Sequence, residues 1–452
     1  MRFRVLVAVL GLSGVAQGSL GPRGTVVGQA VTDVGVRARG GTGELARWGD
    51  LSTQPRTPGL YELSWKAPVG TQAVEIPPCG NRKRLIIDGE PSSLVPGPAV
   101  VSLDASKEHA LVLEVEASSY ERRVACGYAP VMGAPQFVTH GLYRVAFESP
   151  SWARGGGQAS VYVPPGYEVG PPAALLVGVH PWNGDHWTYA NYTELLRTAE
   201  TLGVVLLMPN GLGNSLYTKE PEEEVMRAVD FVQTHLRIDA SRVAIWGASM
   251  GGQGATTIGL HRPGRFSSIT SYFGDAKFDV SGYVRGLLPT EAAAHAVNPI
   301  DVIDNARHLP VWLIHGDADK TAPVSESDAL NDALKARGYT VRYDREVGRG
   351  HEGSLVAKHV AEIVRRAAST QAPRFPSRVT FRSVRPQDTE AYGVTIERAA
   401  PGDAFVDIEY TGASIKMHST LNLRTVTLAQ GALGAPQGTP LAPPSSVPVS
   451  WR

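Results

Sequence analysis

The segment Gly247-Ala248-Ser249-Met250-Gly251-Gly252 follows an apolar run at 243–246 and precedes a helix-compatible stretch. A serine between glycines, after a strand and before a helix, sits on a turn too tight for bulky neighbours, and the helix's first amides face charge that develops beside it. That is the setting of a nucleophile. The plainer alternative is a glycine-rich turn whose serine caps the helix. A serine hydroxyl attacks poorly without a base, so an acid and a histidine are expected downstream. The apolar run 311–315 ends in His315-Gly316-Asp317-Ala318-Asp319, where Asp317 and Asp319 compete as the acid. Gly348-Arg349-Gly350-His351-Glu352-Gly353 follows the run 341–344, and its glycines leave His351 able to swing over the serine as base. His261 and His359 lie on helical patterns and His308 precedes a strand, all ordinary packing positions. With no His-Glu-x-x-His and no clustered ligand spacing, no catalytic metal and no cofactor is expected.

The stretch His315-Gly316-Asp317-Ala318-Asp319-Lys320-Thr321-Ala322-Pro323 resembles the α/β-hydrolase family, whose members often carry H-G-x-x-D-x-x-V-P with the last Asp as triad acid. The resemblance places Asp319 in that role, with Ala322 in place of the usual valine, and leaves Asp317 to cap or shape the loop. An oxyanion hole needs two N–H donors. Met250, directly after the nucleophile, is expected to supply one. The other is expected from the loop His180-Pro181-Trp182-Asn183. Pro181 stands where the family often has glycine and has no N–H, so Trp182 is the candidate and Asn183 the next. Asn183, His186 and Trp187 are candidates to line a substrate pocket. Met208-Pro209-Asn210-Gly211, Ile238-Asp239, Arg242 and 247–252 look most like polyhydroxyalkanoate-depolymerase-like and feruloyl-esterase-like hydrolases. They also resemble the hydrolase domain of prolyl-oligopeptidase-type peptidases, the likeness spanning roughly 158–369.

The elements that must hold these residues alternate. Continuous apolar runs at 174–179, 204–208, 243–246, 269–273 and 311–315 read as buried parallel strands. Helical spacing occupies 222–236, 325–337 and 354–368. The fold class is therefore α/β, an α/β-hydrolase fold of mostly parallel sheet with helices on both faces, over 151–370. Before it, short alternating runs and the Asp88-Gly89 turn predict a β-sandwich over 19–150, loosely similar to the jelly rolls of carbohydrate-active enzymes. After it, runs at 378–384, 393–397, 405–410 and 421–428 predict a small β module over 371–430, with a Pro-rich, disordered tail at 431–452.

Arg2 and Arg4, the apolar run 5–12 and Ala16-Gln17-Gly18 predict a cleaved signal peptide over 1–18 and a secreted or periplasmic protein. In that compartment Cys79 and Cys126 are candidates to pair as a disulfide. Among 452 residues, 43 basic and 43 acidic side chains leave no basic excess, so nucleic acid is excluded as a partner. No stretch reaches the ~18 apolar residues of a membrane span. An ester substrate, polymeric or glycan-linked, is the expected partner, and oligomeric state is left open. The expected function is a secreted serine esterase. A serine peptidase of prolyl-oligopeptidase type is the alternative, although 19–150 is too short for the β-propeller that gates such enzymes. A carbohydrate-binding or adhesion protein with an inactive hydrolase domain is the third reading, against which the three ordered catalytic residues argue.

Overall fold

The computed structural model describes residues 24–29, 35–38, 59–76, 82–93, 99–117, 129–132, 141–147, 149–151, 156–278, 284–443 and 447–452. The expected signal peptide and both cysteines lie outside the described residues. Two compact units emerge. One is built from residues up to Ala173 with Gly184–Leu212 and Glu224–Arg237; the other from Ala174–Asn183, Gly213–Glu223 and Ile238–Arg452.

In the first unit, alternating sequence produces antiparallel sheets. Gly59–Ala67 pairs with His109–Ala117 in the register Leu63↔Leu113, and Arg82–Ile87 pairs with the other edge of the latter. Leu63, Leu85, Leu111 and Leu113 are buried. The Asp88-Gly89 turn closes a hairpin with Ile87 opposite Glu90, and both central residues have positive φ (52° and 87°), as a two-residue hairpin turn demands. A second sheet takes Ala99–Ser102, Thr71–Ile76 and Ala129–Met132. The expected module boundary at 150 is corrected. Gly24–Gln29 and Gly141–Phe147 join neither of these sheets; they pair antiparallel with each other, and Gly141–Phe147 continues onto Gln158–Val163 and then Val205–Pro209. Leu142, Tyr143, Val145 and Phe147 are buried in this strand set.

In the second unit, five strands lie in chain order: β1 (Ala173–Val179), β2 (Ile238–Ala248), β3 (Ser268–Tyr272), β4 (Val311–Gly316) and β5 (Val341–Glu346). Pairing of β2 with β3, β3 with β4 and β4 with β5 is parallel. The apolar runs are buried throughout β1, β3 and β4, as strands covered on both faces require. Helix α1 (Met250–His261) follows β2 and is buried along its whole length. Helix α2 (Val324–Ala336) follows β4, and α3 (Gly353–Ser369) follows β5, burying Leu355, Val356, His359, Val360, Ile363, Val364 and Ala367 on one stripe.

The C-terminal strands belong to the same compact unit. Arg378–Ser383, Ala404–Tyr410 and Ile415–Leu421 make one sheet; Glu390–Ala391, Val394–Arg398, Leu423–Leu428 and Val449–Trp451 make another. The run 421–428, which reads as one strand, is instead broken at Asn422 (φ 53°), where the chain turns from one sheet into the other. Asn422 suits that position because its side chain hydrogen-bonds the backbone of Ala400 and Asp403. The expected disordered tail is also corrected. Leu433, Ala435 and Val447 are buried in the core of this module, and Val449–Trp451 adds a parallel strand beside Leu423–Leu428. Proline and glycine richness misled here because apolar residues spaced among them close the core.

Candidate active site

Ser249 leaves β2 at φ 58° and ψ −123°. Side-chain-bearing residues avoid this region, at a cost on the order of 1–3 kcal/mol, unless their surroundings enforce it. Here its N–H donates to the Tyr272 carbonyl at the end of β3 (2.8 Å), and its carbonyl accepts from Gln253 N–H (3.0 Å). A Cβ on Gly251 would stand 1.8 Å from the Val179 carbonyl oxygen, and one on Gly252 2.1 Å from that of Tyr272. Only glycine permits α1 to start this close to β1 and β3. The Ser249 side chain makes no capping hydrogen bond to α1, which removes helix capping as the reason for a serine here.

The loops after β4 and β5 bring Asp319 and His351 together. Asp319 Oδ2 accepts from His351 Nδ1 at 2.8 Å, while Oδ1 accepts from the N–H groups of Thr321 (2.7 Å) and Ala322 (2.9 Å). Burial alone would raise the Asp319 carboxyl, but these two N–H groups and the imidazole outweigh it and hold the carboxyl below its ordinary range. An ionised carboxylate only accepts, so His351 carries its proton on Nδ1 and keeps Nε2 as the basic nitrogen. Asp319 is wholly buried at its side chain, whereas His351 is 21% exposed. Asp317, the competing acid, instead accepts the Gly348 N–H (2.7 Å) and ties the two loops together.

Phe273 was not singled out by sequence. It follows β3 with φ 54°, donates its N–H to the Ile314 carbonyl (3.1 Å), and lays its ring 4.6 Å from that of His351 and edge-on, 5.5 Å, to His315. Ser249 is thus bonded to the residue preceding the ring that supports His351. The positive φ of a phenylalanine between a strand and Gly274 has no sequence signal beyond the glycine. Asp275, two residues on, has its carboxyl pushed up to about 7 by burial, with the neighbouring charges of Glu326 and Asp319 adding to it.

Of the remaining candidates, Met250 opens α1 and Trp182 lies half-buried on the loop after β1. Asn183 (φ 56°) is exposed, but its N–H donates to Asn214 Oδ1, and Asn214 Nδ2 donates back to Asn183 Oδ1 (2.7 Å). That N–H is already engaged, which leaves Trp182 as the oxyanion candidate on this loop. Tyr217, also missed by sequence, is buried and donates its hydroxyl to the His180 carbonyl (3.3 Å). His186 and Trp187, the other pocket candidates, lie in the interior of the same loop. Their rings are 5.4 Å apart, and Asp185 Oδ1 accepts the Trp187 N–H (2.9 Å). Among the described residues, no group of three or more His, Cys, Asp or Glu is placed to hold a metal ion, and no helix is long and apolar enough to cross a membrane.

Residues 211–371 match the model of the prolyl oligopeptidase family of peptidases. No curated protein matches the chain. Among solved structures, it is similar to a fluorophosphonate-binding serine hydrolase of Staphylococcus aureus (16% identity, 51% of this chain and 99% of that one, TM-score 0.43). It is also similar to an S-formylglutathione hydrolase from Agrobacterium tumefaciens (21%, 47% and 89%, TM-score 0.40) and to a thermostable esterase (13%, 69% and 95%, TM-score 0.42). The strand–turn–helix at Ser249 and the loops that follow β4 and β5 give the matched segment 211–371 an α/β-hydrolase-type fold.

Proposed function

We propose that the chain is a secreted serine hydrolase that cleaves carboxylic esters through an acyl-enzyme on Ser249. The observation that carries this reading is the Asp319–His351 hydrogen bond (2.8 Å). It leaves the basic Nε2 of a partly exposed imidazole on the loop that borders the Ser249 turn through Phe273. In the proposed reaction His351 takes the Ser249 proton as Oγ attacks the ester carbonyl, then returns it to the leaving alcohol. Water, deprotonated by the same nitrogen, releases the acid. Asp319 fixes the tautomer and stabilises the imidazolium. The N–H groups of Met250 and Trp182 receive the oxyanion. The basic Arg2 and Arg4, the apolar run 5–12 and Ala16-Gln17-Gly18 support export.

A second reading, a serine peptidase, is favoured by the prolyl oligopeptidase family match over 211–371. The same residues attack an amide, and only the leaving group differs. A panel of acetyl, butyryl and feruloyl esters, polyhydroxybutyrate and an aminoacyl-nitroanilide separates the two. Ester turnover that Ser249→Ala abolishes, with no anilide cleavage, is the expected result. Turnover of the anilide alone favours the peptidase, and ester turnover retained in Ser249→Ala contradicts both.

A further inference from the structure

His315 is a buried histidine that the proposed reaction does not use. Its side chain is 0% exposed. Nε2 faces two acceptors, the Ala322 carbonyl at 3.1 Å and Asp319 Oδ2 at 3.4 Å, so Nε2 must carry a proton. Nδ1 lies 2.7 Å from Ser327 Oγ on α2. Burial holds the imidazole below its ordinary range, so the ring is neutral and Nδ1 accepts from the Ser327 hydroxyl. Both nitrogens are therefore committed, one to a helix and one to the acid loop. A buried apolar ring would fill the same space without these bonds; the histidine does more than pack.

The geometry points to His315 as a positioning residue for Asp319, and this rests on the reading of Asp319 and His351 as acid and base for Ser249. Ala322 is held from both sides: its carbonyl accepts from His315, and its N–H donates to Asp319 Oδ1 (2.9 Å). The His315 N–H also stands beside Oδ2, the oxygen that receives the His351 proton at 2.8 Å. Together these contacts fix the rotation of the carboxyl, so that Oδ2 faces His351. The Phe273 ring, in contact with both imidazoles, closes the remaining side. His315 thus acts on the base through Asp319, whose carboxylate holds His351 in one orientation.

The test compares His315→Phe, His315→Gln and Ser327→Ala with Ser249→Ala, in the full chain, on a p-nitrophenyl ester the enzyme turns over. His315→Phe keeps a ring and loses the N–H. It is expected to lower kcat on the order of tenfold to a hundredfold, since small misplacements of catalytic groups carry penalties of that size, with KM unchanged. His315→Gln, which restores an N–H toward the loop, is expected to recover most of that loss. Ser327→Ala, which frees the far side of the ring, is expected to lower kcat less, again with KM unchanged. A folded His315→Phe with full kcat overturns the proposal, as does a His315→Gln loss equal to that of His315→Phe. Should His315→Phe not fold, Ser327→Ala decides: a lower kcat at constant KM supports the role, and an unchanged kcat overturns it. If Ser249→Ala keeps turnover, the underlying reading fails and this inference with it. If Ser249→Ala is inactive while His315→Phe is fully active, the positioning role alone fails.

Discussion

Two histidine–aspartate pairs in the second unit share one geometry. His351 Nδ1 meets Asp319 Oδ2 at 2.8 Å, and His261 Nδ1 meets Asp388 Oδ2 at 2.8 Å. They differ in everything around that bond. His351 is partly exposed on a glycine-flanked loop, whereas His261 is wholly buried at the end of α1. Asp319 is otherwise held by backbone N–H groups. Asp388 is shared with Arg385, which itself makes a two-pronged contact to buried Glu222 (2.6 and 2.7 Å) while Arg262 reaches the same carboxylate (2.7 Å). Burial is the chief cause that holds His261 below its ordinary range, so it is a neutral donor and no proton carrier. A His–Asp bond is thus not by itself the mark of a base. A partly exposed imidazole on a loop at a strand's C-terminal edge sets the proposed base His351 apart from the wholly buried His261.

Substitution should separate the pairs. Asp319→Asn leaves the volume intact but removes the charge that sets the His351 tautomer, and kcat is expected to fall by roughly 10⁴. In Asp388→Asn, kcat per folded molecule is expected to stay close to that of the parent. A large fall in both, measured by steady-state kinetics, would erase the distinction. The buried cluster should register in stability instead. Arg385→Ala removes the guanidinium that Glu222 and Asp388 share and leaves Glu222 to Arg262 and Asp388 to His261; breaking a buried pair typically costs ~3–5 kcal/mol, read by denaturant or thermal unfolding. That cluster joins the C-terminal module to the end of α1, so the module is expected to be needed for a folded hydrolase domain.

A smaller effect concerns pH. His295 donates to Asp301 and Asp403 (2.9 and 3.1 Å). Burial alone would lower its imidazole, but the two carboxylates outweigh it and raise it. Its stabilisation is full below the unfolded value of about 6.5 and is lost as pH rises through the folded value. His261, lowered on folding, works in the opposite sense: its contribution is full above about 6.5 and is lost as pH falls. The Tm difference between parent and His295→Gln is therefore expected to shrink from pH 6 to 8. The corresponding difference for His261→Gln is expected to grow over the same interval. Slopes of the same sign would contradict this assignment.

The sequence made much of this legible where chemistry constrains local pattern. The runs 174–179 and 311–314 became parts of β1 and β4 because a strand covered on both faces is apolar nearly throughout. The helices came within a few residues of their observed ends. The glycines at 251 and 252 marked the Ser249 turn because no other residue fits against β1 and β3. What stayed hidden depends on contacts distant in sequence. Nothing local says that Phe273 supports His351, that Asn214 occupies the Asn183 N–H, or that Trp187 turns inward. The C-terminal tail was misread because composition reports chain flexibility, whereas Leu433 and Val447 report a core that only the other strands complete.

Covalent modification of Ser249, the step on which the proposed reaction depends, is read by intact-mass measurement and peptide mapping. The full chain is incubated with a fluorophosphonate or a slowly turned-over p-nitrophenyl ester and digested. One adduct is expected, on the peptide carrying Ser249, absent from Ser249→Ala and slowed in Asp319→Asn. An adduct on another residue, or full ester turnover by Ser249→Ala, would contradict it.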